Sequence, residues 1–201
     1  MDKLKELLLE LLKFIGESPF RLFTVVFLCA LGFGGWIIYS EKDNFMASYR
    51  AQQAMPKMNG RYENAVNFIL KNTDAELVAV FDVNTLLNTR KLVYLTTRAA
   101  GHDTAHDGTN VGLLTKNHGN NEDVIGLMSG KIPCSPYLSP QSYIGFTYKN
   151  AGVTYMCRIS VPADPGLFIG QISVGWKEQP QQVEIAQTVL IVASSLLFDK
   201  K

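Results

Sequence analysis

The chain has 201 residues, which is enough for one ordinary domain and a short appendage. Its net charge is +1, from 19 basic and 18 acidic residues, so its charge favours neither a nucleic-acid partner nor a highly charged disordered tail. Hydrophobic residues make up 47% of the chain and are concentrated in its first 40 positions, which predicts an apolar N-terminal segment ahead of a more polar domain.

Residues 1–21 predict an amphipathic leader helix on the cytoplasmic side of a membrane. Apolar side chains recur there at helical spacing, with charged residues on most of the remaining surface. The apolar face is represented by Leu4, Leu8, Leu11 and Ile15. Such a helix lies in the membrane interface or pairs with copies of itself. The alternative is a leader that merely flanks the segment that follows.

Residues 22–39 predict a transmembrane helix. This run of 18 residues carries no charge, and as an α-helix it would be about 27 Å long, close to the thickness of a hydrocarbon core. Ten of its residues are Leu, Phe, Val or Ile, which together favour insertion by roughly 3 to 6 kcal/mol. Trp36 and Tyr39 stand near its outer end, where amphipathic rings anchor at the interface.

Two other interpretations fit residues 22–39 less well. A buried helix of a soluble protein rarely lacks a polar stripe over five turns. A cleaved signal peptide has a shorter apolar stretch followed by a small-residue cleavage site, whereas this run ends in Trp-Ile-Ile-Tyr-Ser-Glu. We therefore expect an uncleaved anchor.

The basic residues around the span indicate its orientation. Four precede it and three follow within the next 20 residues. This small excess, together with the terminal amine, favours a cytoplasmic N-terminus. Residues 40–201 are then expected to form a domain on the opposite side of the membrane.

Small residues mark one region of the span, namely Ala30, Gly32, Gly34 and Gly35. Ala30 and Gly34 have the small-xxx-small spacing that lets two helices approach closely in lipid. One interpretation is self-association of the chain through this patch. The other is that glycine is simply common in transmembrane helices.

Residues 40–201 predict an α+β domain with a five-stranded antiparallel sheet and helices on one face. Helices are expected at 44–55, 61–71, 122–129 and 181–198, and strands at 77–83, 91–98, 143–148, 153–161 and 167–176. Residues 101–123 are polar and rich in glycine, which predicts mostly loop. This order resembles PAS and Cache sensor domains, a topological likeness that assigns no function by itself.

Two cysteines, Cys134 and Cys157, lie in this domain. In an oxidising compartment they would be able to form a disulfide. The alternative is two separate buried thiols that act as small hydrophobic groups. Their spacing alone does not decide between the two.

One polar cluster, within residues 101–108, contains residue types that bind metals in proteins. On a helix His102 and His106 would share a face and bind a metal with a carboxylate, but the flanking glycines favour a solvated loop. The chain has no nucleophile elbow, phosphate loop, dinucleotide fingerprint or spaced cysteine quartet. We therefore expect neither an enzyme nor a resident metal or cofactor.

The layout and three short stretches resemble the class III holins of T-even-type phages. Trp36-Ile-Ile-Tyr39 followed by Asp43-Asn-Phe45 is similar to the family's Trp…Asp-x-Phe exit from the membrane, although Trp36 stands further from Asp43 than in that pattern. Thr154–Cys157 and Gly170–Trp176 are similar to its Tyr-Met…Cys and Gly-x-Ile-x-x-x-Trp strands. Cys134 has no counterpart in the family pattern, and residues 99–141 match none of it.

The resemblance implies a phage holin of the host bacterial inner membrane, with its N-terminus cytoplasmic and its domain periplasmic. Copies would accumulate, oligomerise in the lipid and form lesions that release an endolysin and time host cell lysis. An antiholin would bind the periplasmic domain and delay that event. The partners implied are copies of the chain, the antiholin and membrane lipid, with no nucleic acid and no cofactor.

The alternative is a single-pass membrane sensor or envelope tether with a Cache-like ligand-binding periplasmic domain. Only 21 residues precede the span, too few for an effector domain. Such a protein is therefore expected to signal through a separate partner.

Overall fold

The computed structural model describes residues 2–16, 18–54, 56–140 and 142–199. The chain forms two compact units, Met1–Met55 and Pro56–Lys201, each described here by itself. The first contains two helices, α1 (Asp2–Gly16) and α2 (Pro19–Ala54). The hydroxyl of Ser18 accepts a hydrogen bond from the backbone N–H of Phe20 at 3.3 Å, and proline occupies the first helical position, so α2 has a favourable start.

Helix α2 has 36 residues and is therefore about 54 Å long. Within its stretch Pro19–Asn44, a window of 18 residues has a mean hydropathy of 2.1, and this is the one helix among the described residues whose length and composition allow it to cross a membrane. The helix continues to Ala54, which confirms the helix predicted over 44–55 as far as that residue, and Met55 lies outside the described residues. That this helix spans a membrane, and the side on which the second unit then lies, stay predictions.

The second unit is an α+β domain built on an antiparallel sheet. Its described strands are β1 (Leu77–Asn84), β2 (Thr89–Thr97), β3 (Gly101–His102), β4 (Asn110–Gly112), β5 (Cys134–Pro136), β6 (Tyr155–Val161) and β7 (Gly170–Trp176). Their order is β3-β2-β1-β7-β6-β5, with β4 also paired to β2. The helices are α3 (Tyr62–Asn72), α4 (His118–Met128), α5 (Tyr143–Asn150) and α6 (Val183–Leu196), and a 3-10 turn spans Thr104–His106.

Helices α3 and α6 cover the first face of the sheet. Alternate apolar side chains of β6 and β7, among them Ile159, Ile172 and Trp176, pack against Ile69 of α3 and Leu190 of α6. All five are at most 1% exposed. Because side chains alternate between faces along a strand, the remaining positions of these strands point to the second face.

Helices α4 and α5 cover that second face, so the prediction of helices on one face only is wrong. Ile144 and Tyr148 of α5 pack on Leu77 and Leu95 of the sheet. Helix α4 contributes a smaller cluster centred on Leu127. The sheet thus lies between two helical layers, which explains why β6 and β7 are buried along their whole length.

The strand predicted at 143–148 is wrong, because this segment is α5. Its aromatic and β-branched residues have the composition of a strand. Ser142, however, caps a helix by accepting the backbone N–H of Gly145 at 3.3 Å, and Ile144 and Tyr148, four residues apart, bury one helical face. The prediction of five strands is also wrong, because β3, β4 and β5 have only two or three residues each and carry no periodic signal.

The other predicted elements are confirmed: α3, α6 and the strands β1, β2, β6 and β7 fall at the predicted places. Residues 101–123 contain β3, the 3-10 turn, β4 and the start of α4, so the loop predicted there has more structure than expected. Helix α4 begins at His118 rather than at residue 122, because the Asn117 side chain accepts the backbone N–H of Asn120 at 2.9 Å.

Edge strand β5 is joined covalently to β6. Cys134 and Cys157 face each other in the antiparallel register, and their Sγ atoms are 2.09 Å apart. Of the two alternatives left open by the sequence, the structure has the disulfide.

Candidate functional site

A polar cavity of about 40 Å³ lies on the second face of the sheet, near α4 and α5. The central strands supply its floor and the helices its walls. Its principal polar lining residues are Arg90, Asn120, Tyr148, Arg158, Gln171 and Ser173.

The strands place polar side chains in the cavity through their alternation. Along β7, Ile172 and Val174 face α3 and α6, whereas Gln171 and Ser173 face the cavity. Along β6, Arg158 occupies the equivalent position and is only 9% exposed. Polar residues so deeply buried need hydrogen-bond partners, and these lie within the cavity wall.

The guanidinium of Arg90 is bonded to neutral groups. It donates from Nη1 to Oε1 of Gln171 at 2.9 Å and from Nη2 to Oδ1 of Asn120 at 2.5 Å. Its Nε is buried and has no hydrogen-bond partner among the described residues. Burial lowers the pKa of Arg90, but an arginine starts so high that its side chain keeps its charge.

Amide side chains continue this network away from Arg90. Gln171 donates from Nε2 to the hydroxyl of Ser173 at 2.8 Å, and Asn120 donates from Nδ2 to the carbonyl of Leu113 at 2.8 Å. The amide oxygens of Gln171 and Asn120 are thereby directed at the guanidinium. The network fixes the position of the buried charge without neutralising it.

Arg158 has a charged partner. Its Nη1 lies 2.7 Å from Oδ2 of Asp123, which is on α4. The ion pair is largely shielded from solvent, with side chains 11% and 21% exposed. Two guanidinium groups therefore line the cavity, while the one carboxylate pairs with Arg158 alone, which leaves an excess of one positive charge in this group of three side chains.

Tyr148 adds a hydrogen-bond donor. Burial raises the pKa of its hydroxyl above the usual range, so the group stays protonated at neutral pH. The cavity thus combines an excess positive charge with hydroxyl and amide groups, an arrangement suited to binding a polar ligand rather than to covalent catalysis.

Sequence reasoning missed this site. The signal is present in β6 and β7, where Arg158, Gln171 and Ser173 interrupt otherwise apolar strands at every second position. Such positions are normally read as the solvent face of a half-exposed sheet. Only the helical layer formed by α4 and α5 turns that face into an interior.

His102 and His106, which the sequence places in a solvated loop rather than in a metal site, do not form one site. His102 Nε2 lies 3.1 Å from Oδ2 of Asp107, and His106 Nδ1 lies 2.7 Å from Oδ2 of Asp103, so each histidine has its own carboxylate. The ring of His102 also stacks on Tyr94, with centroids 3.9 Å apart. Across the described ranges, no three potential metal ligands come together.

The predicted membrane residues lie on the surface of the first unit. Added Cβ atoms at Gly32, Gly34 and Gly35 would meet nothing within 4 Å, and Ala30 is exposed. Their role in helix packing stays a prediction.

The predicted interfacial anchors, Trp36 and Tyr39, are 63% and 69% exposed. Lys42 lies over the Tyr39 ring, with its Nζ 4.5 Å from the centroid. The leader residues Leu4, Leu8, Leu11 and Ile15 have side chains outside the described part of the structure. The interfacial role of both groups stays a prediction.

No family model and no curated protein matches the chain. Solved structures do. A far-red cyanobacteriochrome photoreceptor is similar over 79% of this chain and 94% of its own, with a TM-score of 0.50 and 9% identity.

Two GAF domains score lower. One is from a two-component sensor histidine kinase of Bacillus halodurans and is 12% identical in sequence. The similarity covers 66% of this chain and 84% of that domain, with a TM-score of 0.49. The other is from an Acinetobacter phosphoenolpyruvate-protein phosphotransferase, with 10% identity, coverages of 65% and 74%, and a TM-score of 0.44. The chain therefore has an α+β fold like that of the photoreceptor, preceded by an apolar helix able to cross a membrane.

Proposed function

We propose that the protein is a single-pass membrane sensor whose domain binds a small ligand in the polar cavity. The observation that carries the proposal is the cavity itself, because two arginines and several buried amide and hydroxyl groups converge there without forming a catalytic set. A protein that needed this interior only for stability would gain more from apolar packing. Binding sites are where buried polar groups of this kind are retained.

The fold likeness supports the same proposal. The photoreceptor with a similar fold is a sensory protein, so this α+β architecture occurs in at least one sensor. Likeness of fold leaves function to the site, and here the site is the polar cavity. The apolar helix Pro19–Asn44 supplies the membrane anchor of the proposed sensor.

A cavity-filling variant tests the proposal. Val111 is half-buried and lines the cavity, so Val111→Phe would occupy its volume with an aromatic ring. Val192→Phe is the matched control, because Val192 is 40% exposed on α6, which packs on the opposite face. The full chain in lipid nanodiscs is heated with a panel of small metabolites, and the midpoint of unfolding is measured.

We expect at least one metabolite to raise the midpoint of the wild type and of Val192→Phe while leaving Val111→Phe unchanged. A panel that shifts none of the three, or that shifts all three equally, would overturn the sensor proposal.

The second candidate is the holin implied by the sequence resemblance. It is favoured by the patch of Ala30, Gly32, Gly34 and Gly35, which is open on the surface of α2 and suits close helix packing in lipid. In this proposal copies of the chain oligomerise in the inner membrane of an infected bacterium and form lesions. An antiholin would bind the periplasmic domain and delay the lesions.

Expression in a bacterium separates the two candidates. After induction, a poison of the membrane potential is added and oxygen consumption and viability are followed. A holin produces an abrupt loss of both, and a sensor leaves the response equal to that of an empty vector. An abrupt loss would replace the sensor proposal by the holin.

A further inference from the structure

We propose that the cavity binds a small carboxylate anion, held between the guanidinium groups of Arg90 and Arg158. The inference rests on the proposed ligand-binding function and specifies the chemical class of the ligand. It is carried by three features of the site: its charge, its unpaired donor and its size.

The charge of the site favours an anion. Arg90 is bonded to the oxygens of Gln171 and Asn120, which are neutral, whereas Arg158 has the carboxylate of Asp123. A buried guanidinium with only neutral acceptors lacks the charged partner that best offsets its desolvation. An anion beside Arg90 would supply that partner and balance the two cations with two negative charges.

The unpaired donor favours a carboxylate. The Nε of Arg90 is buried without an acceptor among the described residues, although its Nη atoms are bonded. A guanidinium presents its N–H groups as a planar fork that matches the two oxygens of a carboxylate. A ligand carboxylate that reached Nε would therefore satisfy a guanidinium donor for which the described residues supply no acceptor.

The size of the cavity limits the ligand. Its volume of about 40 Å³ corresponds to about three water-sized positions at 10–15 Å³ each. A carboxylate with one or two carbon atoms, such as formate or acetate, matches this space. Nucleotides, sugars and amino acids of ordinary size exceed it.

The two arginines that would hold the ligand are both bonded to side chains of α4. Asn120 and Asp123, the partners of Arg90 and Arg158, both lie on this helix. An anion that binds the two guanidinium groups would compete for both connections. Its occupancy is therefore expected to change the protection of the α4 backbone against hydrogen exchange.

The experiment uses the full chain in lipid nanodiscs and two probes of equal shape, sodium acetate and neutral acetamide. Binding is measured by calorimetry at constant ionic strength set with sodium chloride. We expect acetate to bind with one site per chain and acetamide to bind at least tenfold more weakly. Equal binding of the two probes would overturn the inference.

Two variants locate the site. Arg90→Gln should weaken acetate binding at least tenfold, whereas Arg61→Gln should leave it unchanged, because Arg61 is 59% exposed and paired with Asp199. Asn120→Asp places a carboxylate beside Arg90 within the protein. This variant should abolish acetate binding, and it answers the question even when Arg90→Gln fails to fold. Full acetate binding by Asn120→Asp would contradict the inference.

The outcome also distinguishes this inference from the proposed function on which it rests. When acetate does not bind but a neutral metabolite stabilises the wild type and not Val111→Phe, the carboxylate inference fails and the sensor stands. When no probe or metabolite binds, both fail.

Discussion

Arg158 and Asp123 join the centre of the sheet to α4 through an ion pair of 2.7 Å. Among the described residues, Arg158 is the charged residue with the lowest exposure, because it lies on β6 and is only 9% exposed. The ion pair fixes the wall of the polar cavity to its floor. Its strength therefore bears on both the stability of the domain and the shape of the site.

Asp123→Asn should destabilise the domain. It leaves the guanidinium of Arg158 buried without its counter-charge, which is expected to reduce the free energy of unfolding by about 1–3 kcal/mol. Asp199→Asn is the matched control, because it breaks the exposed pair with Arg61 and should cost less than about 1 kcal/mol. Denaturant unfolding of the full chain measures both, and equal losses would show that burial does not strengthen the Arg158 pair.

Removing the disulfide should also destabilise the domain. Cys134 and Cys157 are separated by 23 positions, so replacing both by serine frees a loop whose closure is worth about 3 kcal/mol. A thiol reductant should have the same effect on the wild type and none on the double variant. Cys29→Ser is the control, because Cys29 is a free cysteine on the apolar helix. A reductant that leaves the wild type unchanged would argue against the cross-link.

Gly175→Ala should disturb the packing of β7. A Cβ at this position would lie 2.7 Å from one methyl of Val153 and 2.8 Å from the other, which is too close. Overpacking of this kind costs about 1–3 kcal/mol. The double variant Gly175→Ala/Val153→Ala removes both methyl contacts and leaves only the Cβ of residue 153, 3.3 Å away, so a double-mutant cycle should show a favourable coupling between the two changes. Additive losses would place the cause elsewhere.

Gly34→Leu should weaken self-association of the apolar helix. The position is open on the helix surface and belongs to the small-residue patch, so a leucine would keep two backbones apart. Energy transfer between labelled full-length chains in lipid is expected to fall, with Val26→Leu as the control. If the chain is a holin, the same variant should delay lysis. Unchanged energy transfer and an unchanged lysis curve would remove the packing role of the patch.

Periodicity in the sequence was enough to place the long elements. Helix α6 and the strands β1 and β6 have clear apolar patterns that survive in the fold, because each has a face buried against a large core. The uncharged run of residues 22–39 likewise predicts the apolar part of α2. These elements can be predicted because their apolar patterns are local to each segment and do not depend on which other segments pack against it.

The second helical layer needed tertiary information. Residues 143–148 have strand-like composition, and their helix is decided by the Ser142 cap and by the burial of Ile144 and Tyr148 against the sheet. Because the sequence predicts helices on one face of the sheet only and a strand at 143–148, it gives no indication that Arg158 and Gln171 line an interior. Their burial, and hence the cavity, follows only when α4 and α5 are placed.

Calorimetry of acetate binding to the full chain in lipid nanodiscs tests the account most directly, with Val111→Phe and Val192→Phe measured beside the wild type. We predict saturable heat for one site per chain in the wild type and in Val192→Phe, and none in Val111→Phe. Identical heats in all three proteins, or no heat in any, would contradict an acetate site between the sheet and its second helical layer.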